Sequence, residues 1–253
     1  MGVARNAVTA DKFLGGDVML LQPRDGYRAG VDPVFLAASI TAHNGQSVLD
    51  IGCGVGAAAL CLGRRVPGLR LVGVERQTEY ADLAEKNAFE NNVGFEVHNC
   101  DLTALPGALR EENFDHVIMN PPYHLRDRGT AAANPGREAA LGEGTPLVDW
   151  VDTATKRLKP KGFLTMIQKA ERLPEILGAM DDRLGSVLVK PLCPREGRAA
   201  GLVLVQARKG GRGAFRLATP LILHDGVEHV GDRESYRPEV SAILRDGAAL
   251  PLW

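Results

Sequence analysis

Val48-Leu49-Asp50-Ile51-Gly52-Cys53-Gly54-Val55-Gly56 is an apolar run that passes directly into a glycine-rich turn, and the alanine- and leucine-rich stretch from Ala57 onward reads as a helix. Glycines here let the backbone approach a ligand closely and take angles that a side chain forbids. Two ligand classes fit such a turn. Gly52, Gly54 and Ala57 satisfy the G-x-G-x-x-A pattern of a dinucleotide site. Asp50, two residues before the first glycine, suits the cationic amino group of a methionine moiety and repels a pyrophosphate. S-adenosylmethionine (SAM) is therefore the expected ligand ahead of NAD, with Asp50, Gly52, Gly54 and Gly56 as cofactor-binding residues.

Outward from that turn, short β-branched runs alternate with longer amphipathic stretches. Strands are expected at Ser47–Ile51, Arg70–Glu75, Phe95–Asn99, Phe114–Met119, Gly162–Gln168, Gly185–Pro191 and Ala200–Gln206, and helices at Pro33–Ala42, Gly56–Arg65, Gln77–Asn91, Leu147–Leu158 and Leu173–Arg183. The link Cys193–Arg198 is too short for a crossover helix, so the last two strands should pair antiparallel. The fold class is α/β: a Rossmann-like, seven-stranded, mostly parallel sheet with an antiparallel last strand. Residues 1–24 form an N-terminal extension, 25–209 the main domain, and 210–253 a tail with a hairpin around His224-Asp225-Gly226 and a short helix. His124–Pro146, rich in Ala, Gly and Arg and without period, reads as a lid.

With 253 residues and 45% hydrophobic composition, the chain can bury a full core without disulfide or metal. The four cysteines, Cys53, Cys61, Cys100 and Cys193, form no CxxC pair and read as small buried hydrophobes, and the six histidines lack metal spacing. No apolar run long enough for a membrane span and no signal peptide is visible, so the expected site of action is the cytoplasm, as a monomer or homodimer. A net charge of -1 means that any nucleic-acid affinity must come from a local basic patch.

Glu75 ends the second strand, nineteen residues after Gly56, where a carboxylate can accept hydrogen bonds from both ribose hydroxyls of a nucleoside cofactor; a helix N-terminal charge is the plainer role. Asp101 and Leu102 end the third and would meet the adenine, with an N-cap as the alternative for Asp101. The fourth strand ends in Asn120-Pro121-Pro122-Tyr123. An exocyclic amine conjugated to a ring or carbonyl is a poor nucleophile, and its two hydrogens need acceptors; the Asn120 side-chain oxygen and the Pro121 carbonyl can supply them. Prolines stiffen the loop, and Tyr123 offers a ring on which an unpaired base can stack. An ordinary turn is the bland alternative.

Residues 48–123 thus resemble the class I SAM-dependent methyltransferases that carry this tetrapeptide. More narrowly, the chain is similar to the family of tRNA(Val) adenine-N6-methyltransferases, through Gly26-Tyr27-Arg28-Ala29-Gly30-Val31-Asp32, the two central motifs, Gly136-Arg137-Glu138, Leu158-Lys159-Pro160-Lys161-Gly162 and Pro220-Leu221-Ile222-Leu223-His224-Asp225-Gly226. That resemblance implies SAM as cofactor and RNA, in the first place tRNA, as partner. Asp32 followed by Pro33 is a helix start, and the resemblance adds a supporting cofactor role at the methionine end. Basic residues at Lys190, Arg195, Arg198, Arg208, Lys209, Arg212 and Arg216, with Arg126, Arg128 and Arg137 in the lid, are candidate phosphate contacts; Arg126, Arg128, Arg137, Arg208 and Arg212 are the chosen set. The rivals are a release-factor-type glutamine N-methyltransferase, whose relatives carry a helical domain before the SAM core, and a non-catalytic SAM- or RNA-binding protein.

Overall fold

The computed structural model describes residues 8–125, 142–226 and 235–252. The chain opens with a hairpin, β1 (Val8–Phe13) and β2 (Val18–Pro23), and then runs α1 (Asp32–Ser39), β3 (Ser47–Ile51), α2 (Ala57–Arg65), β4 (Arg70–Glu75), α3 (Thr78–Glu90), β5 (Phe95–Asn99), α4 (Gly107–Glu111) and β6 (Phe114–Met119). A short parallel pair, β7 (His124–Leu125) and β8 (Gly142–Glu143), precedes α5 (Leu147–Arg157), β9 (Leu158–Lys169), α6 (Leu173–Ala179), β10 (Leu184–Cys193) and β11 (Leu202–Lys209). Two short strands, β12 (Arg216–Leu217) and β13 (Leu221–Ile222), and α7 (Pro238–Asp246) follow.

The main sheet has the order β12-β10-β11-β9-β6-β3-β4-β5, with β13 also on β10. β11 lies antiparallel to both neighbours, and the other pairs are parallel. The seven long strands and the reversed β11 are the expected arrangement, to which the tail adds two edge strands. All five residues of β3 are buried, as a parallel strand covered on both faces requires. From β3 the chain winds outward through β4 and β5 and then returns to β6 on the other side. That reversal opens a crevice at the carboxyl ends of β3 and β6, where open α/β sheets place their ligands.

The N-terminal extension, residues 1–24, and the tail, residues 210–253, were expected outside the main domain, and the described parts of both pack into the core. Leu14, Val18 and Leu20 from the first segment share one apolar cluster with Val240, Ile243, Leu250 and Leu252 from the last. The backbone edge of β2 is satisfied by two side chains one turn apart, Asn87 in α3 and Asn91 at its C-terminal cap. Asn91 accepts from Met19 N at 2.8 Å and donates to Met19 O at 2.8 Å; Asn87 accepts from Leu21 N at 2.8 Å and donates to Leu21 O at 3.0 Å. An unpaired buried strand edge is costly, and these amides mimic a neighbouring strand. The expected tail hairpin appears as a single antiparallel bridge between His224 and Tyr236.

Several helix ends differ from expectation for local reasons. α1 stops at Ser39, whose hydroxyl donates to Leu36 O at 2.7 Å while Arg65 Nη2 donates to Ala37 O at 2.9 Å. α6 stops at Ala179 because Asp181 turns the chain, accepting from Arg183 N at 2.9 Å.

Candidate active site

A cleft of about 860 Å³, measured out to its open mouth, lies over the carboxyl ends of β3, β4 and β6. Of the residues chosen from sequence, Gly52, Gly54, Glu75, Asp101, Leu102, Asn120, Pro121, Pro122 and Tyr123 line it together.

The glycine turn is fastened to β4: Gly52 N and Cys53 N donate to Val74 O at 2.8 and 3.0 Å. Gly52, Gly54 and Gly56 have φ of +70°, +55° and +87°, the left-handed region that favours glycine. A Cβ on Gly52 would lie 2.5 Å from the Trp150 ring, so the turn has close packing as well as backbone angle to satisfy. Gly56 sits behind the wall against Phe95 and starts α2. Asp50 is also behind the wall. It is buried and takes a hydrogen bond from the Ala59 backbone, its Oδ2 has no partner, and burial pushes its carboxyl up to about 7 against the downward pull of that backbone donor.

Glu75 faces the cleft. Its Oε2 accepts from Gly54 N at 3.0 Å and its Oε1 from Gln77 N at 2.8 Å, which fixes the carboxylate and leaves each oxygen further accepting capacity. Burial raises its pKa, opposed by those two backbone donors. Asp101 follows its plainer reading in part: Oδ1 accepts from Thr103 N at 2.8 Å and Thr103 Oγ1 at 2.7 Å, which lowers its pKa, while the residue still lines the cleft.

The acceptor side is the loop after β6. Asn120 Oδ1 is buried without a hydrogen-bond partner, while the Asn120 amide acts on the phenols of Tyr27 and Tyr123 in the sense of a donor. Burial pushes the Tyr27 phenol up to about 12 and raises that of Tyr123, so both stay neutral. Tyr123 donates to the Asp32 carboxylate, and Lys169 Nζ stands 5.1 Å from its ring centroid. Asp32 therefore reaches the site through Tyr123 and does not itself line the cleft.

With this geometry in view, residues 30–189 match the model of the methyltransferase small domain. The chain belongs to that family. This methyltransferase is 29% identical over 188 residues, 71% of its own length and 70% of the other's, to a protein of Cronobacter sakazakii named tRNA1(Val) (adenine(37)-N6)-methyltransferase. Alignments with curated proteins of that name span 44–70% of those proteins' length. It is also 32% identical over 149 residues to a release factor glutamine methyltransferase of Geobacter sulfurreducens, covering 54% of this chain and 50% of that one. Among solved structures, one described as a predicted O-methyltransferase from Agrobacterium tumefaciens superposes with a TM-score of 0.70 at 28% identity, over 87% of this chain and 98% of the other.

SAM is the cofactor of this methyltransferase, and the residues present fit it. Glu75 offers two fixed acceptors to a ribose diol, and Gly54, with open space where a Cβ would stand, leaves room for close approach. Sequence reasoning passed over Tyr27, Tyr80 and Trp150 in this cleft. Tyr27 is held by Tyr80, whose hydroxyl accepts from Tyr27 N at 2.9 Å, and a Cβ at Gly26 would lie 2.8 Å from that hydroxyl. The Gly26-Tyr27 pair was visible within the resembling segment, but nothing local said that its ring would turn inward.

The basic residues divide by sheet register. Arg208 pairs with Phe163, which sits beside His116, four positions before Asn120, so about 13 Å of strand separates its level from the acceptor loop. Its guanidinium donates to Lys161 O at 3.2 Å and covers the Phe163 ring. Arg212 follows beyond the same end of the sheet. These two, expected as phosphate contacts, therefore stand at the end of the sheet away from the mouth of the cleft. Lys169 and Arg172 stand beside the loop, and Arg198 lies in the turn between β10 and β11 at the cleft end of the sheet. Arg195, in that same turn, is spent internally on Asp225 O and Ser235 Oγ. Arg126, Arg128 and Arg137 lie outside the described residues.

Proposed function

We propose that this methyltransferase methylates the exocyclic amino group of adenine in RNA, in the first place tRNA, in the cytoplasm. The observation that carries the reading is Asn120 Oδ1, a buried acceptor without a partner at the cleft wall, next to the Pro121 carbonyl. A buried oxygen left unpaired is costly, so such an atom points to a donor supplied from outside. An arylamine brings two hydrogens, and two acceptors draw its nitrogen out of conjugation so that its lone pair can point at an electrophile. SAM supplies that electrophile as the methyl of a sulfonium. Transfer then depends on positioning, and the proton left on the product nitrogen, made acidic by methylation, leaves to solvent without a dedicated side-chain base. The name of the Cronobacter sakazakii relative supports adenine as the acceptor.

The amide of a protein glutamine presents the same two hydrogens, and the Geobacter sulfurreducens relative supports that second reading over a shorter alignment. Incubation with labelled SAM and total RNA, total protein and DNA in parallel separates the two. Label in RNA, recovered as methylated adenosine, is expected. Label in protein alone overturns the adenine assignment.

A further inference from the structure

Prolines at 121 and 122 carry no N–H, so the acceptor loop cannot be pinned through donors of its own at those positions. It is held by its carbonyls. Gln168, fully buried at the end of β9, donates from Nε2 to Pro121 O at 3.0 Å and reaches Pro122 O at 3.5 Å. Its other end is fixed as well, since Oε1 accepts from Lys169 N at 2.8 Å, and the amide cannot turn over without losing both bonds. Arg172, 6% exposed, donates from Nη1 to Pro122 O at 3.0 Å, while Nε and Nη2 grip the Glu175 carboxylate at 3.0 and 2.9 Å. Neither residue lines the cleft.

Filling such a space with apolar side chains would be the simpler packing, but it would leave the buried Pro121 carbonyl and the partly buried Pro122 carbonyl unpaired. A carbonyl oxygen has two lone pairs. Gln168 engages one on Pro121 and so sets the direction of the other. We propose that Gln168 and Arg172 are positioning residues for methyl transfer: Gln168 holds the Pro121 carbonyl, and Arg172 the Pro122 carbonyl next to it, so that the free lone pair of Pro121 O meets the acceptor amine. The proposal rests on the amino-acceptor reading above. A misplacement on the order of 1 Å in such an acceptor costs about 100-fold in rate, so the effect belongs in kcat.

The test uses the full chain with Gln168→Glu and Gln168→Leu, labelled SAM and total RNA. An ionised Glu has no hydrogen to give and faces two carbonyls; protonated, it regains one donor. At pH 8 Gln168→Glu should lose about 10- to 100-fold in kcat, with SAM affinity within about threefold of the parent. That loss should shrink as pH falls toward about 5.5, because a buried Glu titrates above its ordinary value of about 4.3. Gln168→Leu should stay slow at every pH. Pro121-Pro122 is the only Pro-Pro pair in the chain, so carbonyl-13C, nitrogen-15 proline labelling isolates the Pro121 carbonyl, whose signal should move in both variants. A parental kcat for Gln168→Glu across the pH range, an unmoved carbonyl signal, or a loss of SAM binding equal to the loss of rate would overturn the proposal. If the parent labels no RNA, the substrate assignment fails by itself, and the carbonyl signal still decides whether Gln168 holds Pro121.

Discussion

The hydroxyl of Tyr123 donates to the carboxylate of Asp32, 91 positions away in the chain, and ties the acceptor loop to the first turn of α1. A ring needed only for base stacking would tolerate Phe. Here Tyr123→Phe strands a charge-assisted bond, and because Asp32 is half-buried the loss should be about 1 to 2 kcal/mol of folding stability, with kcat reduced as the loop loosens. Chemical denaturation beside steady-state assays checks this. Unchanged stability would make the contact incidental.

Glu75 and Asn120 should separate binding from chemistry. Glu75→Ala removes the fixed acceptors in the cleft and should weaken SAM binding by about 1 to 3 kcal/mol. Asn120→Ala should leave SAM affinity nearly unchanged and slow methyl transfer by about 100-fold or more. Calorimetry and single-turnover rates measure the two independently. If both variants change only affinity, Asn120 is not an acceptor of the reacting amine.

The contrast between these two residues marks how far sequence carried. Strand limits at Ser47–Ile51, Arg70–Glu75 and Phe114–Met119 were legible because each is a short, mostly apolar, buried run, whereas the edge strand Phe95–Asn99 alternates apolar and polar residues. The acids and the Asn-Pro-Pro-Tyr loop were legible for the same reason, since they end those strands. Contacts made across long separations were not. Asn87 and Asn91 look like ordinary polar positions of α3 until β2 lies against them, and Gln168 looks like the polar last residue of a strand until two proline carbonyls meet it. Arg208 and Arg212 were chosen as phosphate contacts from a basic stretch, and which end of the sheet they occupy follows from strand direction, which the stretch by itself does not show.

Asp50 gives the fold a pH dependence. Its folded pKa, about 7, lies above its ordinary value of 3.8, so the folded state holds a proton that the unfolded state gives up. That contribution is fully present below about pH 4 and is lost as pH rises to about 7, an upper bound on the order of 4 kcal/mol. Asp50→Asn keeps the shape without the charge, so it should gain stability relative to the parent at pH 8 and little at pH 4. Urea melts at the two pH values read this. An equal effect at both would mean that the buried carboxyl is compensated by a cation.

Gly52→Ala should be among the more damaging single changes outside the acceptor loop. Its Cβ would meet Trp150 Cη2 at 2.5 Å and Cζ3 at 2.7 Å, and the position has φ +70°. Left-handed backbone costs an L-residue roughly 1 to 2 kcal/mol, and moving a buried Trp adds roughly 1 to 3. Thermal melts and SAM binding should both fall. A variant of parental stability and affinity would show that α5 yields freely at Trp150.

The RNA assignment makes separable demands on charge and on stacking. Phosphate contacts release counterions, so each one lost flattens the log-log salt slope of binding by about 0.7 to 0.9, whereas stacking is worth about 1 to 3 kcal/mol per base and leaves the slope alone. Lys169, with Nζ 5.1 Å from the Tyr123 ring centroid, is a cation beside the acceptor loop. Lys169→Gln should therefore weaken RNA binding and flatten the slope. Tyr123→Ala should weaken it without changing the slope. Arg208→Ala with Arg212→Ala acts at the far end of the sheet and should leave kcat at saturating RNA unchanged, with any effect on affinity carried wholly by the salt-dependent part. Filter binding from about 50 to 200 mM salt, paired with turnover on the same RNA, resolves the three cases. A flattened slope for Tyr123→Ala, or a kcat defect for the double arginine variant as large as that of Asn120→Ala, would place the RNA on a different face from the one that the cleft, Tyr123 and Lys169 define.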